Sequence, residues 1–252
     1  QHIPKISLKS IHISSIDNLC NLLSCSKKIS LDSCDIEVIP FLQKLTEVNK
    51  QIECINLRGN LGNTFNNTTI HLPKTLNKIK LDMISWKGAT FIGLLPILLS
   101  HQPTNGNYRL SIAEVDISTS DWDHAFVQLN NIDHCSLSSL NWSYNSIGPK
   151  FFEWVNTIPT LKTLNISNCL KETPRIELML KMLMQNARFI KELIIDNNGI
   201  DELSEELAKA LIESIPKNYS LTSFSINNQS FDDELVRELC RALMSNRRIR
   251  KL

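Results

Sequence analysis

The sequence repeats a short pattern along its whole length, and this periodicity constrains the fold more than any other feature. The clearest copy is Ile52-Glu-Cys-Ile-Asn-Leu-Arg-Gly-Asn60, with apolar residues at the first, fourth and sixth places and asparagine at the ninth. The fourth place recurs at Ile6, Ile29, Ile55, Ile79, Leu110, Leu140, Leu164, Leu193, Phe224 and Leu252. Steps of 23 to 31 residues separate these copies. Such a chain buries its core by stacking one repeat on the next.

Each copy of the pattern predicts a short strand in a parallel sheet. The fourth and sixth places are two residues apart, so their side chains point to the same side of the strand, into the core. The neighbouring places lie on or beside the outer face. A ninth-place asparagine or cysteine can satisfy backbone groups where the chain leaves the sheet. Ile11, Ile84 and Val115 occupy that place in three copies, and we expect less regular turns there.

The second half of each longer repeat predicts a helix. Residues 232–243 have leucines at four-residue spacing, acidic residues in the first turn, and Arg247 and Arg248 just past the end. Leu203, Leu207, Leu211 and Ile215 repeat this spacing, as do the apolar residues from Ile176 to Met184 after Pro174. Residues 61–75 show no helical period, and residues 101–107 read as a turn-rich insertion. The apolar stripes are interpreted as core.

These repeats together resemble the leucine-rich repeat family, and the longer steps with a full helix are similar to its ribonuclease-inhibitor-like class. The resemblance implies an α/β fold: a right-handed solenoid, or horseshoe, with a concave parallel β-sheet, convex helices and about nine repeats. We expect residues 1–252 to form a single leucine-rich-repeat domain. Because the pattern is present from Ile3 and begins again at Ile249, we expect the array to continue or be capped beyond both ends.

Sequence signatures of catalysis or metal binding are absent. The seven glycines form neither a phosphate-binding loop nor a dinucleotide fingerprint. There is no Gly-x-Ser-x-Gly or His-Glu-x-x-His motif. Asp121-Trp-Asp-His124 is the one cluster that resembles a metal site, and acidic residues starting a helix explain it. We therefore predict no catalytic residue, no metal site, no cofactor and no enzymatic activity.

Composition restricts the partners and the compartment. The formal net charge is +1, which argues against a dedicated nucleic-acid binder. The apolar run from Phe91 to Leu99 is shorter than a membrane span and contains Gly93 and Pro96. Membrane contact is expected only through flanking regions. The seven scattered cysteines are interpreted as reduced core residues of a cytoplasmic protein.

The outward strand residues suggest where a protein partner binds. In the first half, the concave face gathers basic residues, and the predicted site residues there are Lys5, Lys28, Arg58, Lys78, Lys80 and Arg109. In the second half the face is neutral, and Asn141, Tyr144 and Asn165 are the candidates. Two interpretations stay open for the lysines: a solvated sheet face, or a site for an acidic protein segment or a phosphorylated ligand. Trp142 is assigned to the core.

Three functions are compatible with this family resemblance. The repeats look similar to those of actin-regulating scaffolds, either capping-protein-inhibiting or tropomodulin-like, which implies a cytoplasmic, non-catalytic scaffold for cytoskeletal or signalling proteins. GTPase-activating repeat proteins share an Asn-x-Ile/Leu-Gly motif, which Asn145-Ser-Ile-Gly148 matches. That match makes regulation of a small GTPase the alternative. An innate receptor or inhibitor module is the third hypothesis.

Overall fold

The protein consists of two compact units built from the same kind of repeat. The computed structural model describes residues 3–62, 70–86, 88–115, 117, 119–129, 136–170, 176–186, 188–198 and 203–252. The first unit comprises Gln1–Ile117 and Ile132–Ser138, and the second comprises Ser118–Asn131 and Ser139–Leu252. The prediction of one continuous domain stays a prediction.

In the first unit, five strands pair in sequence order, and every pairing is parallel. A helix separates each consecutive pair of these strands except β3 and β4, between which the described residues form none; parallel neighbours need such crossover connections. The elements are β1 (Ile3–Lys9), α1 (Ile16–Leu23), β2 (Ser26–Asp32), α2 (Val38–Val48), β3 (Cys54–Arg58), β4 (Lys78–Lys80), α3 (Gly88–Leu99) and β5 (Tyr108–Ser111).

The second unit continues the pattern with shorter strands and longer helices. Its strands also pair in parallel and in sequence order. The elements are α4 (Thr119–Leu129), β6 (Leu137–Asn141), α5 (Pro149–Asn156), β7 (Thr163–Asn165), α6 (Ile176–Asn186), β8 (Glu192–Ile194), α7 (Leu203–Ser214), a 3₁₀ helix (Ile215–Lys217), β9 (Ser223–Ser225) and α8 (Asp233–Ser245). An isolated parallel bridge joins Ser223 to Lys251, where the next copy of the pattern begins.

The core is formed by the places that the sequence pattern assigns to it. In the third repeat the first, fourth and sixth places are Ile52, Ile55 and Leu57, and all three are fully buried. From the second to the eighth repeat the corresponding residues are buried in the same way, including Trp142 at a sixth place, except for the exposed Asn107. In the terminal repeats burial is weaker: Ile3 is exposed, and Ile6, Leu8 and Ile226 are half-buried. The predicted α/β leucine-rich-repeat fold, with parallel strands alternating with helices, is therefore confirmed.

Ninth-place asparagines connect neighbouring repeats through their side chains. The side-chain oxygen of Asn198 accepts hydrogen bonds from the backbone N–H groups of Cys169 and Leu170, at 2.8 and 2.9 Å. Its amide nitrogen donates to the carbonyls of Ile166 and Ile195, at 3.0 and 2.9 Å. Asn60 bonds to backbone groups of its preceding repeat in the same way. The predicted role of this place is confirmed, because each amide satisfies backbone groups that neither strand can pair.

The residue before the ninth place, at the eighth place, has a left-handed backbone conformation in all nine repeats. Its φ lies between 52° and 63° at Ser10, Ser33, Gly59, Met83, Glu114, Tyr144, Asn168, Asn197 and Asn228. Within each unit, the backbone N–H of this residue donates to a carbonyl of the following repeat, for example from Met83 to Ala113 at 2.8 Å. The sequence predicts less regular turns at Ile11, Ile84 and Val115, but the residue before each keeps the same left-handed φ, so the expectation is wrong for that angle. The apolar side chains at these three places cannot form the amide hydrogen bonds of a ninth-place asparagine.

A second set of asparagines stabilises the connection from helix to strand, and the sequence analysis missed it. Asn49, Asn218 and Asn246 each lie three residues before a first-place residue, and all three are buried. Asn218 donates to the carbonyl of Met184 at 2.7 Å, and Asn246 donates to the carbonyl of Asn218 at 2.8 Å. These bonds fix the loops that precede the strands.

The predicted helices are present in the described residues. Helix α8 begins after Asp232, whose side chain accepts a hydrogen bond from the backbone N–H of Leu235 at 2.8 Å, as an N-cap does. Helix α7 covers the predicted stripe up to Ser214, where a 3₁₀ turn follows. Pro174, expected to start α6, lies outside the described residues. So does much of the predicted irregular segment 61–75, whose described residues are not helical.

Candidate functional site

Third-place residues form a line of positive charge across the sheet of the first unit. Register pairs Lys5 with Lys28, Lys28 with Cys54, Cys54 with Lys78, and Lys78 with Arg109. We call Lys5, Lys28, Lys78 and Arg109 the basic row. Parallel strands lie about 4.8 Å apart, so five strands carry the row over about 19 Å. The structure thus aligns four of the six basic residues predicted for this face.

Cys54 lies in the middle of the basic row, and its environment shows that the lysines converge. Burial raises the pKa of the Cys54 thiol, and the positive charges of Lys78, Lys28, Lys80 and Lys5 oppose that rise. Lys80 is on the same face, one pleat further along β4, in register with Asn56 and Ser111. Sequence analysis did not select Cys54. Its third-place position, the one held by Lys28 and Lys78 in adjacent repeats, would have identified it.

Two acidic residues near the basic row, one at each end of the strands, already have polar partners. Glu53 forms a 2.8 Å ion pair with Lys27, just before β3 begins. At the other end of the strands, just after β4, Asp82 accepts hydrogen bonds from the Ser111 hydroxyl at 2.6 Å and the Ala113 backbone N–H at 3.0 Å.

The basic row itself carries no counter-charge in the described part of the chain. None of its four side chains forms an ion pair there. The row is therefore a strip of uncompensated positive charge.

Arg58 belongs to the opposite end of β3. It pairs in register with Asp32, two pleats from Cys54. Its guanidinium donates to the sulfur of Met83, with nitrogen–sulfur distances of 3.0 and 2.8 Å. Of the two predicted basic residues outside the basic row, Arg58 lies two pleats away and Lys80 one.

The two asparagines predicted in the second unit are neighbours on its outer face. Asn141 and Asn165 pair in register. The side-chain oxygen of Asn165 accepts hydrogen bonds from the backbone and the hydroxyl of Ser167, at 2.9 and 2.7 Å. Asn141 accepts from the Ser143 backbone at 3.2 Å. Both amide oxygens therefore order the end of their own strand.

Tyr144 combines exposure with an unfavourable backbone conformation. Its φ is 63°, and 53% of its surface is exposed. Three later repeats of the second unit place asparagine at this position, a residue that tolerates the left-handed region far better than an aromatic one. A strained, exposed aromatic side chain is a common property of binding sites.

Replacing Tyr144 by asparagine should raise the free energy of unfolding by about 1 kcal/mol, because the backbone strain is relieved and little buried surface is lost. Urea titration followed by circular dichroism measures the change. Tyr144→Phe keeps the strained φ and serves as the control, with stability close to wild type. A less stable Tyr144→Asn variant would mean that the ring contributes packing energy that outweighs the strain.

The cluster at residues 121–124 lies within helix α4, as interpreted from the sequence. Burial raises the pKa of Asp123, while the backbone N–H and the charge of Lys150 oppose the rise. The Asp123 carboxylate therefore lies beside the first turn of α5, whose N-cap residue Gly148 has no side chain to form a capping hydrogen bond. A Cβ on Gly148 would lie 2.5 Å from an Asp123 oxygen. The glycine of the Asn-x-Ile-Gly motif therefore has a structural reason.

Among the described residues, no group of three or more His, Cys, Asp or Glu residues could hold a metal ion. No helix among them is long and apolar enough to cross a membrane.

The cysteines divide between the core and the surface. Cys20, Cys34 and Cys169 are buried, and burial raises the pKa of Cys20 and Cys169 to about 12. Cys25 and Cys240 are exposed, so the assignment of every cysteine to the core is wrong for these two. Cys135 lies outside the described residues.

Comparison with known proteins adds two structural likenesses. No family model and no curated protein sequence matches the chain. The tropomodulin C-terminal domain of Caenorhabditis elegans is 19% identical, with 64% of this chain and 93% of that one covered and a TM-score of 0.41. An internalin of Listeria monocytogenes is 16% identical, with 95% and 70% covered and the same TM-score of 0.41. The assignment of the fold rests on the repeat geometry described above.

Proposed function

We propose that this protein is a non-catalytic scaffold that binds an acidic segment of a partner protein along the basic row. The observation that carries the proposal is the alignment of four uncompensated cations on one sheet face. Neighbouring unit charges about 4 Å apart repel each other by about 1 kcal/mol even in water. An acidic ligand removes this repulsion, and attraction between opposite charges also accelerates association.

The dimensions of the row suit an extended segment. A strand-like chain advances about 3.3 Å per residue, so about six residues span the 19 Å from Lys5 to Arg109. Such a segment would run across the strands, with carboxylates facing Lys28 and Lys78. Cys54 leaves a small, less polar gap at the centre of the row, where an apolar side chain of the partner would fit.

The double substitution Lys78→Glu with Lys80→Glu should weaken binding of a fluorescent hexaglutamate peptide by at least about tenfold, because two attractive charges become repulsive. Fluorescence anisotropy at low and physiological salt measures the affinity. Binding to the wild type should also fall as salt rises, since exposed charges are screened within about 8 Å at physiological ionic strength.

A matched variant, Lys162→Glu with Lys251→Glu, makes the same charge change on exposed lysines of the second unit. Because these lysines lie outside the basic row, the control variant should bind the peptide with an affinity within about twofold of the wild type at physiological salt. Circular dichroism spectra of both variants should match the wild type, because all four side chains lie outside the core. Unchanged affinity after the Lys78 and Lys80 reversal would transfer the binding site to the second unit, around Tyr144.

The cellular setting is a further part of the proposal. From the resemblance of the repeats, we propose a cytoplasmic protein of the ribonuclease-inhibitor-like class that holds a cytoskeletal, actin-regulating or signalling partner. Pull-down from a cytoplasmic extract with wild type and the Lys78 and Lys80 double variant tests this. A cytoskeletal or signalling protein retained only by the wild type is the expected result. Stimulated GTP hydrolysis by a member of a small-GTPase panel would favour the alternative function instead.

A further inference from the structure

A basic cavity lies in the second unit, and none of the residues proposed above for partner binding lines it. Its volume is about 460 Å³, and it is lined by Gln185, Arg188, Lys191, Lys217, Tyr219 and Ser220. Gln185 comes from the end of α6, Arg188 and Lys191 precede β8, and the other three precede β9. Two successive helix-to-strand loops therefore form the cavity. Its volume falls in the usual range of ligand sites.

Three cations converge on this cavity, and no acidic residue lines it in the part of the chain that the structure describes. Within the described residues, neither Arg188, Lys191 nor Lys217 takes part in an ion pair. The Glu213 carboxylate forms a 2.8 Å ion pair with Lys181, which lowers the pKa of Glu213 first, and Lys217 contributes less to that lowering. The positive charge of the cavity is thus largely uncompensated.

The backbone holds the cavity walls in place. Lys191 donates its backbone N–H to the Lys162 carbonyl at 2.8 Å, and its own carbonyl accepts from Thr222 at 2.8 Å. On the other wall, the buried side chain of Asn218 accepts from the Ser220 backbone N–H at 3.0 Å. The loops are therefore fixed before any ligand arrives, which reduces the entropic cost of binding.

Three converging cations match a phosphate group better than a single carboxylate. A phosphate monoester carries a charge of about −1.5 to −2 at neutral pH and three strong acceptor oxygens. Arginine can bind two of those oxygens at once, and the lysines add point charges. Tyr219 is 78% exposed beside the cations, so its ring offers a surface to the group that carries the phosphate.

The exposure of the walls favours a phosphate that belongs to a larger partner. Gln185, Arg188, Lys191, Lys217 and Tyr219 are all exposed. A small metabolite is usually enclosed over most of its surface, and this cavity cannot enclose one. A phosphorylated side chain needs only its tip to enter. We propose that the second unit carries a binding site for a phosphorylated serine, threonine or tyrosine of a partner protein, with Arg188, Lys191 and Lys217 holding the phosphate.

The test uses the whole chain and fluorescent peptide pools with a central phosphoserine, phosphothreonine or phosphotyrosine. We expect at least one phosphorylated pool to bind about tenfold or more tightly than its unphosphorylated counterpart. Arg188→Gln with Lys217→Gln should remove that difference. Lys191→Gln alone should reduce it severalfold, while Lys162→Gln, at the equivalent place of the preceding repeat and outside the cavity, should leave it unchanged.

Three results would overturn the proposal. One is equal binding of phosphorylated and unphosphorylated peptides, and another is a phosphate preference that survives the Arg188 and Lys217 substitutions. The third is tighter binding of ATP, or of vesicles containing phosphoinositides, than of any phosphopeptide, which would assign the cavity to a nucleotide or to a membrane. Substitutions at Lys78 and Lys80 leave the cavity intact, so failure of the proposed acidic-segment site is recognised separately.

Discussion

Replacing Trp142 by alanine should lower the free energy of unfolding of the second unit by about 3–5 kcal/mol. Trp142 is fully buried. Its ring centroid lies 4.6 Å from that of Trp122, 5.4 Å from Phe126 and 5.5 Å from Phe151. Truncation to alanine removes these aromatic contacts and leaves a cavity that rigid neighbouring rings cannot fill. Urea unfolding followed by far-ultraviolet circular dichroism measures the change.

Trp142→Phe is the matched control. The indole N–H of Trp142 is buried and has no hydrogen-bond acceptor among the described residues. Its removal therefore leaves no acceptor unsatisfied, and the variant should lose only about 1–2 kcal/mol for the smaller ring. A loss below about 1 kcal/mol in the alanine variant would mean that the cluster repacks, and the structure would not support a rigid aromatic core at this place.

Replacing Asn198 by alanine is the second change with a large expected effect. Asn198 is fully buried and makes four hydrogen bonds to backbone groups of its own and the preceding repeat. The alanine variant leaves these N–H and C=O groups buried without partners, at about 1–3 kcal/mol for each group that water cannot reach. We expect a total loss of about 3–5 kcal/mol, because partial relaxation admits water to some of them.

Asn198→Cys is the control for this substitution, because the protein itself uses cysteine at the same place. The thiol of Cys169 donates to the carbonyl of Trp142, with a sulfur–oxygen distance of 3.2 Å. A cysteine at position 198 keeps one donor and should recover part of the lost stability. Equal stability of wild type and Asn198→Ala, measured by urea titration, would contradict the role assigned to the ninth place.

The strand positions could be derived from the sequence because they depend on local periodicity. Residues two apart on a strand share a face, so Ile55 and Leu57 had to be buried together once the strand was recognised. The repeat length then aligned equivalent places on neighbouring strands. The basic row follows from those two facts alone, since Lys28, Lys78 and Arg109 occupy the same place in their repeats.

The backbone conformation of the turns could be predicted from the sequence only in part. Gly59, Asn168, Asn197 and Asn228 at the eighth place are residue types that favour a left-handed backbone. Tyr144 and Met83 adopt the same φ against their own preference. The parallel sheet imposes this conformation, because the chain must leave every strand in the same direction while its backbone N–H reaches the next repeat. Local propensity could not reveal that constraint.

The sequence by itself determined the repeating architecture, the inward-facing places, the ninth-place asparagines and the line of cations on the first unit. Tertiary structure alone decided which charges are neutralised, what Arg58 contacts, which side chain lies against Gly148, and that Arg188, Lys191 and Lys217 line one cavity. The physical reason is the range of the interactions. Periodicity specifies the face on which a residue lies, whereas ion pairs, close contacts and cavities depend on side chains from loops and helices whose lengths differ from one repeat to the next.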